Sequence, residues 1–363
     1  MELTSHIPRG AGFQALVREI APAGAEAGGA RRHRLLPLAW LAAAALAALL
    51  LARNGGDFVQ ALERALHGGW RLVALGALLE AASLAGYVAL QHRVIGRADE
   101  RIRAKDSYDI ALAGTAATRM LPTAGLGGAA VTVWALRARG LRAAEITERL
   151  LAFLLLLYAV YMAALLASGA AVGFGLVHVA SGSPLGLIGA AIALVLTAAV
   201  VTLLANPSSF EKVLDRLMAH PSLAPHAERA AGQLPALRAA LRRAGGELRR
   251  PHPALLGALA VWAFDIGVLV AMLHAFGASQ PFPVVVLAYF LGTMFNVLPL
   301  PGSLSGGLAG TLAVFGAPAA PALAAVLAYR TIAVWLPAAS GVASLVALRA
   351  TASRWRAEPA AGR

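Results

Sequence analysis

Two interrupted apolar segments decide the fold of this 363-residue chain. Residues 297–307 read Val-Leu-Pro-Leu-Pro-Gly-Ser-Leu-Ser-Gly-Gly and lie inside Val284–Phe315. Residues 120–128 read Met-Leu-Pro-Thr-Ala-Gly-Leu-Gly-Gly and lie inside Ile110–Leu136. Proline removes a backbone donor and stops a helix, while glycine allows a sharp turn. Each segment is therefore predicted to form two helices joined by a break.

The composition places the chain in a lipid bilayer. Apolar residues make up 59% of the chain and charged residues 13%, whereas soluble domains carry about 25% charged residues. A soluble fold of this length could not bury so much apolar surface. The absence of cysteine excludes disulfides and thiolate chemistry. No histidine pair has metal-ligand spacing and no nucleotide-binding loop is present, so neither a metal nor a cofactor is expected.

Six further segments are long and apolar enough to span a bilayer as helices, which takes about 20 residues. They are Leu35–Ala52, Trp70–Leu90, Leu150–Val172, Leu185–Ala205, Leu255–Phe276 and Pro321–Leu348. Cytoplasmic loops are enriched in basic residues, and the basic clusters of this chain fall on one side only if both interrupted segments return to the side they entered. The sequence therefore predicts an all-α polytopic membrane protein with six spanning helices, two opposed re-entrant helical hairpins and both termini in the cytoplasm.

The two breaks also indicate an internal repeat, because the pattern Leu-Pro-x-x-Gly occurs at Leu121–Gly125 and at Leu298–Gly302. Each break has a span on either side, which defines unit A (70–172) and unit B (255–348). Three spans separate the breaks, so the units face opposite ways. Such an inverted-topology repeat is common in secondary transporters.

The remaining boundaries are set by the spans. We expect a disordered cytoplasmic tail over 1–34, a single transmembrane domain over 35–348 and a cytoplasmic tail over 349–363. The stretch 206–253 is interpreted as a cytoplasmic amphipathic linker between the units, lying on anionic lipid. The net charge of +13 then reports topology and contact with lipid, and no nucleic-acid partner is expected.

Four charged residues fall at predicted bilayer depth, where an unpaired charge is costly. In the functional interpretation, Arg119 and Arg330 hold an anionic headgroup, because guanidinium pairs well with phosphate. Glu80 and Asp265 would then balance that charge or carry coupling protons. In the structural interpretation, these residues form two buried ion pairs that fix helix register. Burial is expected in both cases, so it does not separate the two interpretations.

The predicted substrate site lies where the two breaks meet near the midplane, because each break resumes as a helix whose N-terminus attracts anions. Tyr289, Tyr329 and Trp335 lie at helical spacing and are interpreted as packing residues or interfacial anchors. The predicted substrate-binding residues are Arg119, Pro122, Gly125, Asn296, Pro299, Pro301, Gly302, Ser303, Ser305, Tyr329 and Arg330.

The second break and the residues after it carry a family resemblance. Residues 299–307, then Ala328-Tyr329-Arg330 and Trp335-Leu336-Pro337, resemble the flippase-like transmembrane domain of lysylphosphatidylglycerol synthases. That family shows a Pro-Gly-Gly-x-Gly loop, a Tyr-Arg pair and a Trp-x-x-Pro-like ending. Unit A matches through Arg119-Met-Leu-Pro122 and its glycines. The family loop often ends in glutamate, and here Leu308 takes that place.

The resemblance covers residues 35–350 and implies that the chain moves a phospholipid or lipid-linked headgroup between leaflets. We expect a stand-alone membrane domain that is not an enzyme, since the soluble aminoacyl-transferase domain has no counterpart in the sequence. Its expected partners are membrane lipids, with a homo-oligomer or a separate lipid-synthesising enzyme also open. We expect it in the bacterial or archaeal cell (inner) membrane.

Three other functions stay open at this stage. One is a proton- or ion-coupled transporter of small solutes that uses Glu80 and Asp265. Another is a non-catalytic membrane partner of a lipid synthase. An intramembrane enzyme is disfavoured, because only Ser303, Ser305 and Asn296 stand near the second break and no histidine or carboxylate is adjacent to them.

Overall fold

The computed structural model describes residue 63 and residues 69–96, 102–120, 126–177, 179, 183–205, 239–246, 253–295 and 302–357. All of these belong to one compact unit of the chain. Within these ranges the regular secondary structure is entirely helical. The predicted first span Leu35–Ala52, the N-terminal tail and most of the linker 206–253 lie outside the described residues, as do the central residues of both breaks.

The helices follow the predicted segments closely. Residues 239–246 of the linker are also helical. The principal helices are α1 (Trp70–Val94), α2 (Ala104–Met120), α3 (Leu126–Ala138), α4 (Ala143–Gly173), α5 (Ser183–Ala205), α6 (Pro253–Ala275), α7 (Phe282–Met294), α8 (Ser303–Val314) and α9 (Ala319–Ala357).

Among the described residues, the helices long and apolar enough to cross a membrane are α1, α4, α5, α6 and α9. They coincide with five of the six predicted spans, and the sixth lies outside the described residues. All five extend beyond their predicted bounds at one end or both, and α4 and α9 do so most. Helix α4 starts at Ala143, where Glu145 and Arg149 form an ion pair one turn apart that favours the helix. Helix α9 continues to Ala357, through most of the stretch predicted as a tail.

Each interrupted segment is a pair of helices that pack against each other, as the prolines and glycines predict. In the first pair, the Gly128 amide at the start of α3 donates to the Thr118 hydroxyl near the end of α2, over 2.8 Å. In the second pair, α7 and α8 approach closely at Gly292, where a Cβ would stand 2.8 Å from Leu308 Cα. Helix α8 begins after Gly302, whose φ of +78° lies in the left-handed region.

Helices α1 and α6 form the central pair of the molecule, and they run antiparallel. Gly76, early in α1, lies beside Met272, late in α6, whereas Gly86 lies beside Gly257 near the start of α6. At this crossing a Cβ on Gly86 would stand 3.0 Å from the Gly257 carbonyl oxygen. The absence of side chains at both positions therefore sets how closely the two helices approach. The Ser83 hydroxyl donates to the Val261 carbonyl across the same interface, over 3.0 Å.

Several contacts between helices of the two units and within them fall into matched pairs. Helix α2 packs against α9, and α7 packs against α4; likewise α1 contacts α9, and α6 contacts α4. By their order in the two units, α1 is equivalent to α6, α2 to α7, α3 to α8 and α4 to α9. The contact of α2 with α9 is then equivalent to that of α7 with α4, and the contact of α1 with α9 is equivalent to that of α6 with α4. In these contacts, helices that hold equivalent places in units A and B meet equivalent neighbours.

Candidate functional site

Arg119 stands at the end of α2, one residue before the first break, and meets both acids that the sequence singled out. Its Nη1 atom lies 2.6 Å from Glu80 Oε1 on α1. Its Nη2 atom lies 3.9 Å from Asp265 Oδ1 on α6. Two carboxyl groups therefore converge on one guanidinium, in place of the two separate ion pairs of the structural interpretation.

Two tyrosine hydroxyls complete the surroundings of Asp265. Tyr289 on α7 and Tyr329 on α9 both donate to Asp265 Oδ2, the latter over 3.1 Å. The two tyrosine rings pack edge to face, with centroids 6.3 Å apart. Trp262 and Phe290 extend this aromatic packing, which holds the hydroxyls in place. We call Glu80, Arg119, Asp265, Tyr289 and Tyr329 the acid–arginine cluster.

Arg119 has a further acceptor in the backbone of α9. Its Nη1 atom donates to the Ala333 carbonyl oxygen. In a regular helix that carbonyl would accept from the amide four residues later, but residue 337 is a proline inside α9 and has no N–H to donate. Pro337 therefore leaves a carbonyl without its helical donor at the place where the guanidinium arrives.

The cluster is buried, with one partial opening. Glu80 is fully buried and Asp265 is 5% exposed, whereas the Arg119 side chain keeps 20% of its surface exposed. Two carboxylate oxygens, Glu80 Oε2 and Asp265 Oδ1, are buried without a hydrogen-bond partner among the described residues. Because buried polar groups are normally paired, these two atoms require an explanation.

The cluster contains four of the residues predicted from the sequence, which are Glu80, Arg119, Asp265 and Tyr329. Arg330 lies outside it, although it comes directly after Tyr329 on α9. Its side chain is half-buried, and it makes no ion pair within the part of the chain that the structure describes.

The other predicted residues belong to the two breaks. Gly302, Ser303 and Ser305 lie at the N-terminal end of α8, where the Gly306 amide donates to the Gly302 carbonyl over 2.7 Å. Pro122, Gly125, Asn296, Pro299 and Pro301 lie outside the described residues.

Tyr289 was interpreted from the sequence as packing or an interfacial anchor, and that interpretation missed its hydrogen bond. The signal that could have found it is the need of a buried tyrosine hydroxyl for a partner. Asp265 lies on the apolar helix α6 and is buried, so its carboxyl group also needs hydrogen-bond donors. Trp335 is 69% exposed, as expected for a side chain facing lipid.

Side chains that could bind a metal do not gather in this region. Among the residues that the structure describes, no three histidine or acidic side chains are placed to hold a metal ion together. What the cluster can do chemically is bind charge and exchange protons.

The comparison with known families agrees with the second break and the Tyr-Arg pair after it. A family model described as the lysylphosphatidylglycerol synthase TM region matches residues 37–341. The chain belongs to this family. The match covers unit A, most of unit B and every residue of the cluster, and it confirms the resemblance inferred from the sequence. No curated protein matches the chain significantly. Membership of this membrane-domain family indicates a role connected with membrane lipids.

Proposed function

We propose that the chain is a lipid transporter that moves a phospholipid or lipid-linked headgroup between leaflets by rocking unit A against unit B. The observation that carries the proposal is the composition of the acid–arginine cluster. Glu80 and Arg119 come from unit A, whereas Asp265, Tyr289 and Tyr329 come from unit B. A relative movement of the two units must therefore break and remake these polar contacts, as an alternating-access mechanism requires.

The arrangement of the helices supports the same mechanism. Equivalent helices of the two units, α1 and α6, run antiparallel, which is what an inverted repeat demands. They approach most closely at Gly86 and Gly257, and the same interface continues to Gly76 and Met272. We propose that the helix pairs α2–α3 and α7–α8 enter from opposite faces as re-entrant hairpins. The breaks then lie in protein and not in lipid, where unpaired backbone groups are not tolerated.

An apolar groove provides a place for the tail of the lipid. It lies between α1, α2 and α9, has a volume of about 500 Å³ and is lined by residues such as Ala85, Val88, Tyr108 and Leu112. This volume is in the range of small-molecule sites, about 300–1,000 Å³. One end is formed by Ala81, the residue directly after Glu80. The other end lies at His92 and Ala104, so an acyl chain in the groove would reach from the basic end of α1 to the level of the cluster.

Arg119 and Arg330 differ in whether their charge is balanced by nearby acids, so we infer different roles for them. Arg119 is already balanced by two acids, so it has little excess charge to offer a phosphate. Arg330 has no ion pair within the described part of the chain, and its half-buried guanidinium is suited to a phosphate oxygen. We therefore propose that Arg330 binds the headgroup and that Arg119 joins the two units.

The test is lipid transfer by the purified full chain in vesicles. Fluorescent lipids with anionic, zwitterionic or polyprenyl headgroups are placed in one leaflet, and their arrival in the other is followed with a quencher that cannot cross. We expect transfer by the wild type, a loss in Arg330→Gln with little change in thermal stability, and a loss of both in Arg119→Gln. Arg243→Gln is the matched control, because Arg243 pairs with Glu148 at the protein surface.

Two outcomes contradict the proposal. If the wild type moves none of these lipids, the chain is not a lipid transporter. If it instead accumulates a water-soluble solute in response to a proton gradient while lipids stay in place, the chain is a coupled solute transporter. The two buried acids of the cluster are the feature that favours this second function.

A further inference from the structure

Two carboxylate oxygens of the cluster have no hydrogen-bond donor among the described residues, and they belong to acids on the packed helices α1 and α6. Glu80 Oε2 and Asp265 Oδ1 are both buried and lack a hydrogen-bond partner in the described structure. The two carboxyl groups also converge on the same guanidinium, that of Arg119. We propose that Glu80 and Asp265 share one bound proton, held between these two oxygens, and that this pair is a proton-binding site of the protein.

The hydrogen bonds already present determine which atoms are left for the proton. Glu80 Oε1 accepts from Arg119, and Asp265 Oδ2 accepts from Tyr289 and Tyr329. Each acid therefore keeps one oxygen without a donor. A single O–H placed on either acid and directed at the other satisfies both atoms together.

The charge count leads to the same conclusion. Two ionised carboxylates and one guanidinium leave the cluster with one uncompensated negative charge, and an unpaired charge is not tolerated in a buried site. One shared proton makes the cluster neutral. Because the two acids are coupled, the proton belongs to the pair and not to either residue.

The surrounding groups do not supply another compensating charge. Helix α1 contributes Glu80 and Tyr87, α2 contributes Arg119, and α7 and α9 contribute the tyrosines. Arg330 directly follows Tyr329 on α9, but within the described residues it makes no ion pair with either acid. Arg119 is thus the cation that the described residues place against the two carboxyl groups.

Infrared spectroscopy of the purified full chain tests the proposal, because the carbonyl stretch of a protonated carboxyl is distinct from that of a carboxylate. We expect the wild type to show this band at neutral pH, to shift it slowly in heavy water and to lose it in one step as the pH rises. Glu80→Gln and Asp265→Asn should each abolish the band, because a side-chain amide then supplies the donor in place of the O–H.

The matched control is Asp109→Asn, since Asp109 is a buried acid elsewhere in the described structure, 5% exposed, and its removal should leave the band in place. Absence of the band from the wild type overturns the proposal, and so does a band that survives in both single variants. The pH titration of the wild type keeps the test decisive if a variant fails to fold.

Thermal stability gives a second, independent measurement. A proton bound in the folded protein and released on unfolding makes stability fall as the pH rises. We expect the melting temperature of the wild type to fall through this transition and that of Glu80→Gln to stay level over the same range. Parallel curves for the two proteins contradict a shared proton.

Discussion

Replacing Arg119 by methionine is the perturbation that most directly tests the acid–arginine cluster. Methionine keeps the unbranched stem but removes the guanidinium, and with it the bond to Glu80 and the bond to the Ala333 carbonyl. The Glu80 carboxyl is fully buried and cannot turn to water. Removing one partner of a buried ion pair costs about 3–5 kcal/mol, and we expect a loss of this size at neutral pH.

Arg243→Met is the matched control, because it removes an equally short ion pair from the surface. Arg243 Nη2 lies 2.8 Å from Glu148 Oε1, and the two side chains are 38% and 26% exposed. Exposed pairs of this kind contribute about 0–1 kcal/mol. The two substitutions therefore remove the same chemical group and differ mainly in the burial of its partner.

The assay is thermal unfolding of the full chain in detergent, followed by tryptophan fluorescence. Trp262 packs against Tyr161 and Phe290 in the core and reports loss of that packing. We expect the Arg119→Met loss to shrink as the pH falls, since protonation removes the charge left on the acids. Equal losses for Arg119→Met and Arg243→Met, or a loss that ignores pH, would refute this account of the cluster.

Two further substitutions test the backbone features of the fold. Pro337→Ala restores an N–H that competes with Arg119 for the Ala333 carbonyl, so we expect equal or higher thermal stability but lipid transfer slower by about fivefold, the equivalent of one hydrogen bond of about 1 kcal/mol. Pro321→Ala, in the first turn of the same helix, should leave transfer unchanged, and equal rates in both variants contradict the prediction. Gly86→Ala places a Cβ 2.8 Å from the Cβ of residue 260 and should cost about 1–3 kcal/mol. Gly267→Ala meets only the tip of a leucine side chain at 3.3 Å and should cost less, as compared by melting temperature.

Much of the architecture could be predicted from the sequence because it depends on local properties. The length of an apolar run decides whether a helix can cross a bilayer, and five predicted spans are long apolar helices in the structure. Proline and glycine interrupt a helix wherever they occur together, so the pairs α2–α3 and α7–α8 could be located as well. The family resemblance rested on the second break and the Tyr329–Arg330 pair.

The partners within the site could not be predicted, because they depend on how distant helices cross. Glu80 and Asp265 face each other only because α1 and α6 run antiparallel and meet at Gly86 and Gly257. The sequence marks each acid as costly in a membrane, but it does not show that both approach Arg119. A backbone carbonyl without its donor, such as that of Ala333, is a consequence of Pro337, but its use by a distant arginine depends on the packing of α2 against α9.

The partners of Arg119 come from both halves of the chain, so the order of synthesis determines when each contact can form. Glu80 leaves the ribosome before Arg119, whereas Asp265 and Ala333 leave it long after. A guanidinium in hydrocarbon needs partners, and Glu80 can pair with it early, but its contacts with Asp265 and the Ala333 carbonyl form only after the second half of the chain has been synthesised. The acid–arginine cluster is therefore completed late, when α6 packs against α1 and α9 packs against α2.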